Sequence, residues 1–495
     1  MARTERHVKS QRANWDEASS NVRYQNSFVG ASSISCIINL LNTIIGSGLL
    51  ASPRALSQMG ILVGTIVILW SGLAAAFGLY LQARCARYIE RGNSSFFALS
   101  KITYPNAAVL FDAAIAIKCF GVGVSYLIII GDLMPGVMKG FLNDAEFSAI
   151  LIDRKFWITA FMLFVIPLSF LRRLDSLKYT SVVALVSISY IVILIIFHFF
   201  KNDTLPDRGE IRLIKWAGVI PTLRSFPVMV FAYTCHQNKA SFSTLAAKKL
   251  VANRKISTTT VIATSIGTAA FLYTLVAITG YLSFGNEVSG NIVGMYPPST
   301  GSIVGKSAIV LLSTFSFPLQ VHPCRASVDA VLRWRPIRGG VYSLTSLDKS
   351  PSRSVPLLAS QNRQASKSDT ISEPRLAFIT TVIIVLSYVV SMTISSLDKV
   401  LAYVGSTGST SISFILPGLF YYKISSPDSI HHQRLLKEED DDLSELEEES
   451  PMPGGLISRS RWKKMLRKLS LALAIYGFVV MGVCLGINLF GGATH

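Results

Sequence analysis

The chain is 495 residues long, half of them hydrophobic and only 15% charged, with a net charge of +18 at pH 7. No water-soluble fold of this length hides so much apolar surface in its core, so the surplus has to face lipid. Six cysteines without CxxC or metal-ligand spacing, and no HExxH, GxSxG or phosphate-loop motif, argue against a disulfide framework, a metal site and a membrane enzyme.

In chain order, residues 1–28 form a polar, charged tail with no short apolar core or small-residue cleavage site, so no removable signal peptide is expected and the first span serves as anchor. Apolar runs follow at 29–52, 60–82, 107–134, 156–171, 178–200, 219–239, 256–282, 302–332, 376–396, 401–422 and 469–490. Nearly all reach the ~20 residues that cross a ~30 Å hydrocarbon core at ~1.5 Å per residue. The expected class is therefore an all-α membrane protein of about eleven transmembrane helices.

Lysine and arginine set the orientation. With the amino terminus cytoplasmic, basic residues favour the cytoplasmic segments by roughly four to one, and the carboxyl terminus falls on the far side. The glycosylation acceptor Asn202, in Asn202-Asp203-Thr204, lies in the far-side loop between spans five and six, in agreement with this choice. The positive charge is thus topogenic and attracted to anionic lipid, and nucleic acid is not an expected partner.

Ten spans divide into two halves of five, 29–200 and 219–422, which must be inverted because five is odd. The cytoplasmic stretch 334–374 within the second half is rich in Ser, Arg and Pro and expected to be disordered. A cytoplasmic loop, acidic and then basic, covers 423–468, and 469–490 is an eleventh helix outside the repeat. The opening span of each half is interrupted. The first contains Asn42-Thr43-Ile44-Ile45-Gly46-Ser47-Gly48 and then Pro53; the sixth contains Pro227 and then Ala232-Tyr233-Thr234-Cys235-His236-Gln237-Asn238. Paired breaks in corresponding helices point to a transporter's binding site. The competing account, that the glycines only let two helices approach closely, leaves the polar neighbours unexplained in lipid.

Residues 38–53, from Ile38 to Pro53, resemble the first-helix signature of the amino acid/auxin permease family. Residues 231–238 are similar to its sixth-helix signature, and Phe317-Pro318 through His322-Pro323-Cys324-Arg325 to its eighth. The stretch from Ile115 to Pro135 resembles fungal vacuolar members. The resemblance implies a LeuT-like fold of five plus five inverted helices with one added, amino-acid substrates, a vacuolar membrane, and coupling to protons or sodium with no other cofactor.

An amino acid presents a carboxylate and an ammonium, and a broken helix offers free N–H groups at one end and free carbonyls at the other. Gly46, Ser47 and Gly48, with Thr43 nearby, are therefore expected at the carboxylate, and the backbone of Phe231, Ala232 and Tyr233 at the ammonium. Asn42 and Ser316 match positions that lie by the ion in sodium-coupled relatives, and Ser313 is one turn earlier; alternatively both serines bond only to their own helix. His236 and His322 are either proton carriers or structural residues. Lys118, about eleven residues into span three, either takes part in coupling from a cavity or reaches the cytoplasmic interface if the span starts later.

Two functions fit: a secondary transporter, expected to be a vacuolar proton symporter exporting amino acids to the cytoplasm, or a membrane sensor that binds an amino acid and signals through its loops. A sodium-coupled permease of the plasma membrane is the variant of the first.

Overall fold

The computed structural model describes residues 33–89, 96–141, 149–171, 180–237, 258–334, 372–429, 433 and 455–490. The amino-terminal tail and most of the 334–374 and acidic stretches lie outside them. The principal helices are α1 (Ser33–Ile44), α2 (Ser47–Ser57), α3 (Ile61–Cys85), α4 (Phe96–Thr103), α5 (Ala108–Phe141), α6 (Arg154–Ser169), α7 (Thr180–Lys201), α8 (Val219–Ala232), α9 (Thr258–Phe284), α10 (Thr300–Arg333), α11 (Glu373–Thr393), α12 (Leu397–Val404), α13 (Leu416–Ile424) and α14 (Gly455–Phe490).

Among the described residues seven helices are individually long and apolar enough to cross a membrane, and α1 with α2 makes an eighth span bent by 52°. The other three expected spans are shorter or interrupted. α6 has 16 residues and α8 has 14, while α12 and α13 are joined by two π-helical segments, Gly405–Ser409 and Ser411–Ile415. The lipid-facing surface is visible residue by residue. On α3, Leu62, Ile66, Leu69 and Leu73 are all more than half exposed and recur at one-face spacing, whereas Ile68, Ala75 and Leu79 are buried. Leaving each such side chain in water would cost about 1.5–3 kcal/mol, and a bilayer removes that cost.

The two halves meet helix to counterpart. α5 packs most extensively against α10, the third span against the eighth; α3 packs on α9, α2 on α8, and α6 on α11. Contact between the nth and the (n+5)th span, present for these four of the five pairs, is what the two-fold relation expected of a LeuT-like fold produces, and α14 is added against α13. Several helices differ in extent from the sequence reading. α5 runs on to Phe141, α8 stops at Ala232, and α14 begins at Gly455, so the basic run before span eleven is helical rather than loop.

One polar staple closes the rim of the bundle. Arg154, in the first turn of α6, donates to Asp132 of α5 at 3.1 Å and to the carbonyls of Ser391 and Ile394 at the end of α11. Asp153 caps the same helix by accepting from the Lys155 amide at 3.0 Å.

Candidate functional site

The break in the first span follows from its residues. The chain leaves the helix at Ile45 and Gly46, then restarts at Ser47, with Gly46 as the N-cap and no side chain capping the new helix. The first amides of α2 have no intrahelical acceptor, and the partial positive charge of a helix start is concentrated there. The sixth span breaks at the opposite polarity. α8 ends at Ala232, and Tyr233, Thr234 and Cys235 continue without helix. An amino end and a carboxyl end are thereby brought close together at mid-bundle.

Between them lies a cavity of about 300 Å³, at the lower end of the roughly 300–1,000 Å³ typical of small-molecule sites. Of the predicted residues, Asn42, Thr43, Gly46, Ser47, Gly48, Phe231, Lys118, Ser313 and Ser316 line it. Ser47 is held by Ser125, whose hydroxyl lies 3.4 Å away. Asn42 Oδ1 is buried without a hydrogen-bond partner among the described residues, an unmet acceptor at the edge of the cavity. The Lys118 side chain is 5% exposed. Its helix starts at Ala108, so it stands inside the bundle and not at the interface. Lys118 is the one charged residue among the described residues lining the cavity, and no carboxylate faces it there.

The two glycines differ. A Cβ on Gly46 would meet nothing within 4 Å, whereas one on Gly48 would stand 2.9 Å from both Cα and Cβ of Ala232. Gly46 opens space beside the helix start. Gly48 serves close helix approach.

Ala232 and Tyr233 do not line the cavity but sit behind it. The Phe231 carbonyl already accepts from the Thr234 amide at 3.0 Å, and the Ala232 carbonyl from Tyr273. His236 is fully buried against α3. Its Nε2 donates to the Ala75 carbonyl at 3.2 Å, and Gln82 donates to the His236 carbonyl. His322 likewise lies outside the lining, about two turns beyond Ser316 on α10. Asn202 is exposed, in a left-handed turn immediately after α7.

Sequence reasoning missed Gln237, Gln320 and Tyr126, which add polar atoms to the lining, and Ile188 and Ile191 of α7, which form an apolar wall. It also missed Thr234, whose hydroxyl accepts from Ser413 at 3.1 Å and ties the break of span six to the π segment of span ten. Tyr126 and Gln320 carried no signal of their own, being single residues without spacing to distinguish them. Thr234 and Gln237 did lie within a polar run already singled out. All six cysteines are buried and free, as packing residues are.

The family model described as "Transmembrane amino acid transporter protein" matches residues 30–440. "Vacuolar amino acid transporter 5" of Schizosaccharomyces pombe is 40% identical to this chain over 92% of it and 94% of the relative. "Vacuolar amino acid transporter 6" of Saccharomyces cerevisiae is 40% identical over 80% of the chain and 90% of its own. The mouse "Sodium-coupled neutral amino acid transporter 7" is 26% identical, over 94% and 87% respectively.

Proposed function

Because this chain belongs to the transmembrane amino acid transporter family, and is a transporter rather than an enzyme, we propose that it moves amino acids across the vacuolar membrane by proton-coupled alternating access, with export to the cytoplasm as the net direction. The observation that carries the reading is the cavity itself. The uncapped start of α2 and the carbonyl end of α8 border it from two different halves of the molecule, which is the arrangement alternating access uses.

In this mechanism the substrate carboxylate sits on the first amides of α2 beside Gly46 and Ser47, where the helix dipole favours an anion. The ammonium is taken by remaining lone pairs at the Phe231 end and by the side-chain oxygens of Thr43, Thr234 and Gln237, since the backbone carbonyls there are partly committed. Lys118 carries the coupling proton. As the one charged residue among the described residues lining the cavity, it gains or loses a charge where no described carboxylate compensates it. Asn42, Ser313 and Ser316 hold water by oxygen contacts, and His236 and His322 remain outside the proton path. The vacuolar placement rests on the names of the fungal relatives.

The test is flux of radiolabelled amino acids in vacuolar vesicles from cells overproducing the chain. Substrate should leave faster with an acidic lumen and lose that advantage when a protonophore collapses the gradient. Flux indifferent to the gradient rejects proton coupling, and saturable binding without flux rejects transport.

A further inference from the structure

The carbonyl ends of the two interrupted helices converge on a single hydroxyl. Tyr273, in the middle of α9 and fully buried, donates to the Ile44 carbonyl at 2.9 Å and to the Ala232 carbonyl at 3.0 Å. Ile44 is the last residue of α1 and Ala232 the last of α8. A phenol has one proton and a carbonyl can only accept, so that proton is shared between the two helix ends.

A helix carboxyl end carries a partial negative charge of about half a unit. Two such ends facing one point repel each other unless something positive lies between them. In transporters built on discontinuous helices, half-helix carbonyl ends are where a coupling cation is held. In this chain the point is filled by protein. The Tyr273 ring is fixed by an edge contact with Tyr233 at 5.2 Å between centroids, and Tyr233 rests on Gly72 of α3, where a Cβ would stand 3.1 Å from its ring. A Cβ on Gly48 would stand 3.5 Å from the Tyr273 hydroxyl, so the first span packs in direct contact with it.

We propose that the Tyr273 hydroxyl is a built-in, uncharged substitute for a coupling cation between the two breaks. This position neither binds nor requires sodium, and Tyr273 is the positioning residue that holds both breaks in the geometry that binds substrate. The proposal rests on the transport reading above and narrows its coupling ion, because a bridge that is part of the chain cannot be carried across the membrane.

The experiment uses purified full-length protein in proteoliposomes, with amino-acid exchange measured at clamped pH while sodium is replaced by potassium, for the wild type and for Tyr273→Phe. The wild type should exchange substrate equally well with and without sodium. Tyr273→Phe keeps the ring and removes the hydroxyl, and should raise KM by roughly five-fold, the worth of one net buried hydrogen bond, with the maximal exchange rate unchanged. An unchanged KM, or a fall in maximal rate alone, would overturn the positioning role. If the variant fails to fold, the wild type still decides: exchange that requires sodium would overturn the proposal. Wild-type protein that exchanges no amino acid at all would instead sink the transport reading, so the two failures are distinguishable.

Discussion

Gly46 and Gly48 sit two residues apart in one motif, yet alanine should separate their roles completely. At Gly48 the new Cβ would lie 2.9 Å from two carbons of Ala232, about 0.6 Å inside the ~3.5 Å at which carbons rest comfortably. Both partners belong to helices, α2 and α8, so neither is a flexible tip that can swing away. Overpacking of this kind costs about 1–3 kcal/mol. Gly48→Ala should therefore lower the melting temperature of the detergent-solubilised protein. Gly46→Ala should leave melting near the wild-type value, since its Cβ meets nothing within 4 Å. Its methyl instead takes space beside the helix start, so its effect should appear as a raised KM for substrate. Melting followed by size-exclusion chromatography and exchange kinetics on the same preparations give both readouts. Equal thermal loss in the two variants, or a stable Gly48→Ala with unaltered kinetics, would refute the assignment.

Lys118→Met keeps the length and removes the charge, and should abolish stimulation of flux by a pH gradient while leaving substrate exchange intact; persistence of the stimulation in correctly targeted protein rules Lys118 out of coupling. Arg154→Ala removes the donor shared by Asp132 and two carbonyls of α11 and should destabilise the protein by about 1.5–3 kcal/mol, the range for charged hydrogen bonds, read as a lower melting temperature. In the turn after α7, burial pushes the Asp203 carboxyl up, but the pairing with His198 at 2.8 Å and with Lys201 at 3.1 Å outweighs it and holds the group below its usual range. A lowered carboxylate stabilises the fold above its unfolded value of about 3.9 and loses that contribution as pH falls through the lower folded value. Asp203→Asn should therefore melt below the wild type at pH 5–7, with the two curves converging once the pH drops under ~3.9; a gap that persists under acid would show that the charge is not responsible.

Much of the fold was legible because lipid leaves a coarse signature. Apolar runs of the right length marked the spans, and the polar residues at 42–48 and 232–238 marked the breaks, since such groups are costly in lipid without a partner. The apolar run 401–422 reads as an ordinary helix. Its Gly-Ser-Thr-rich stretch from Gly405 forms π turns packed against the Pro227 carbonyl and the backbone of Lys118, contacts that lie far away in sequence. Lys118 was noticed because a cation in an apolar span is conspicuous. Tyr273 was not, because a tyrosine among apolar residues looks like any other core aromatic until two helix ends are seen to meet on it. The histidines drew attention by titration range alone, and geometry set both outside the cavity lining.

The π segments of span ten give that helix a slack that no other described helix has. Each π turn holds one residue more than the regular helix needs, and Thr410 already reaches back five residues to the Gly405 carbonyl rather than four. Absorbing one such turn into regular helix would slide the chain beyond it by about 1.5 Å and rotate it by about 100°, while α12 stayed docked on α5 through Val404 and Gly121. A segment joined to Thr234 on one side and to Lys118 on the other can thus pay out or reel in length like a belt with a spare notch, without melting a turn of buried helix.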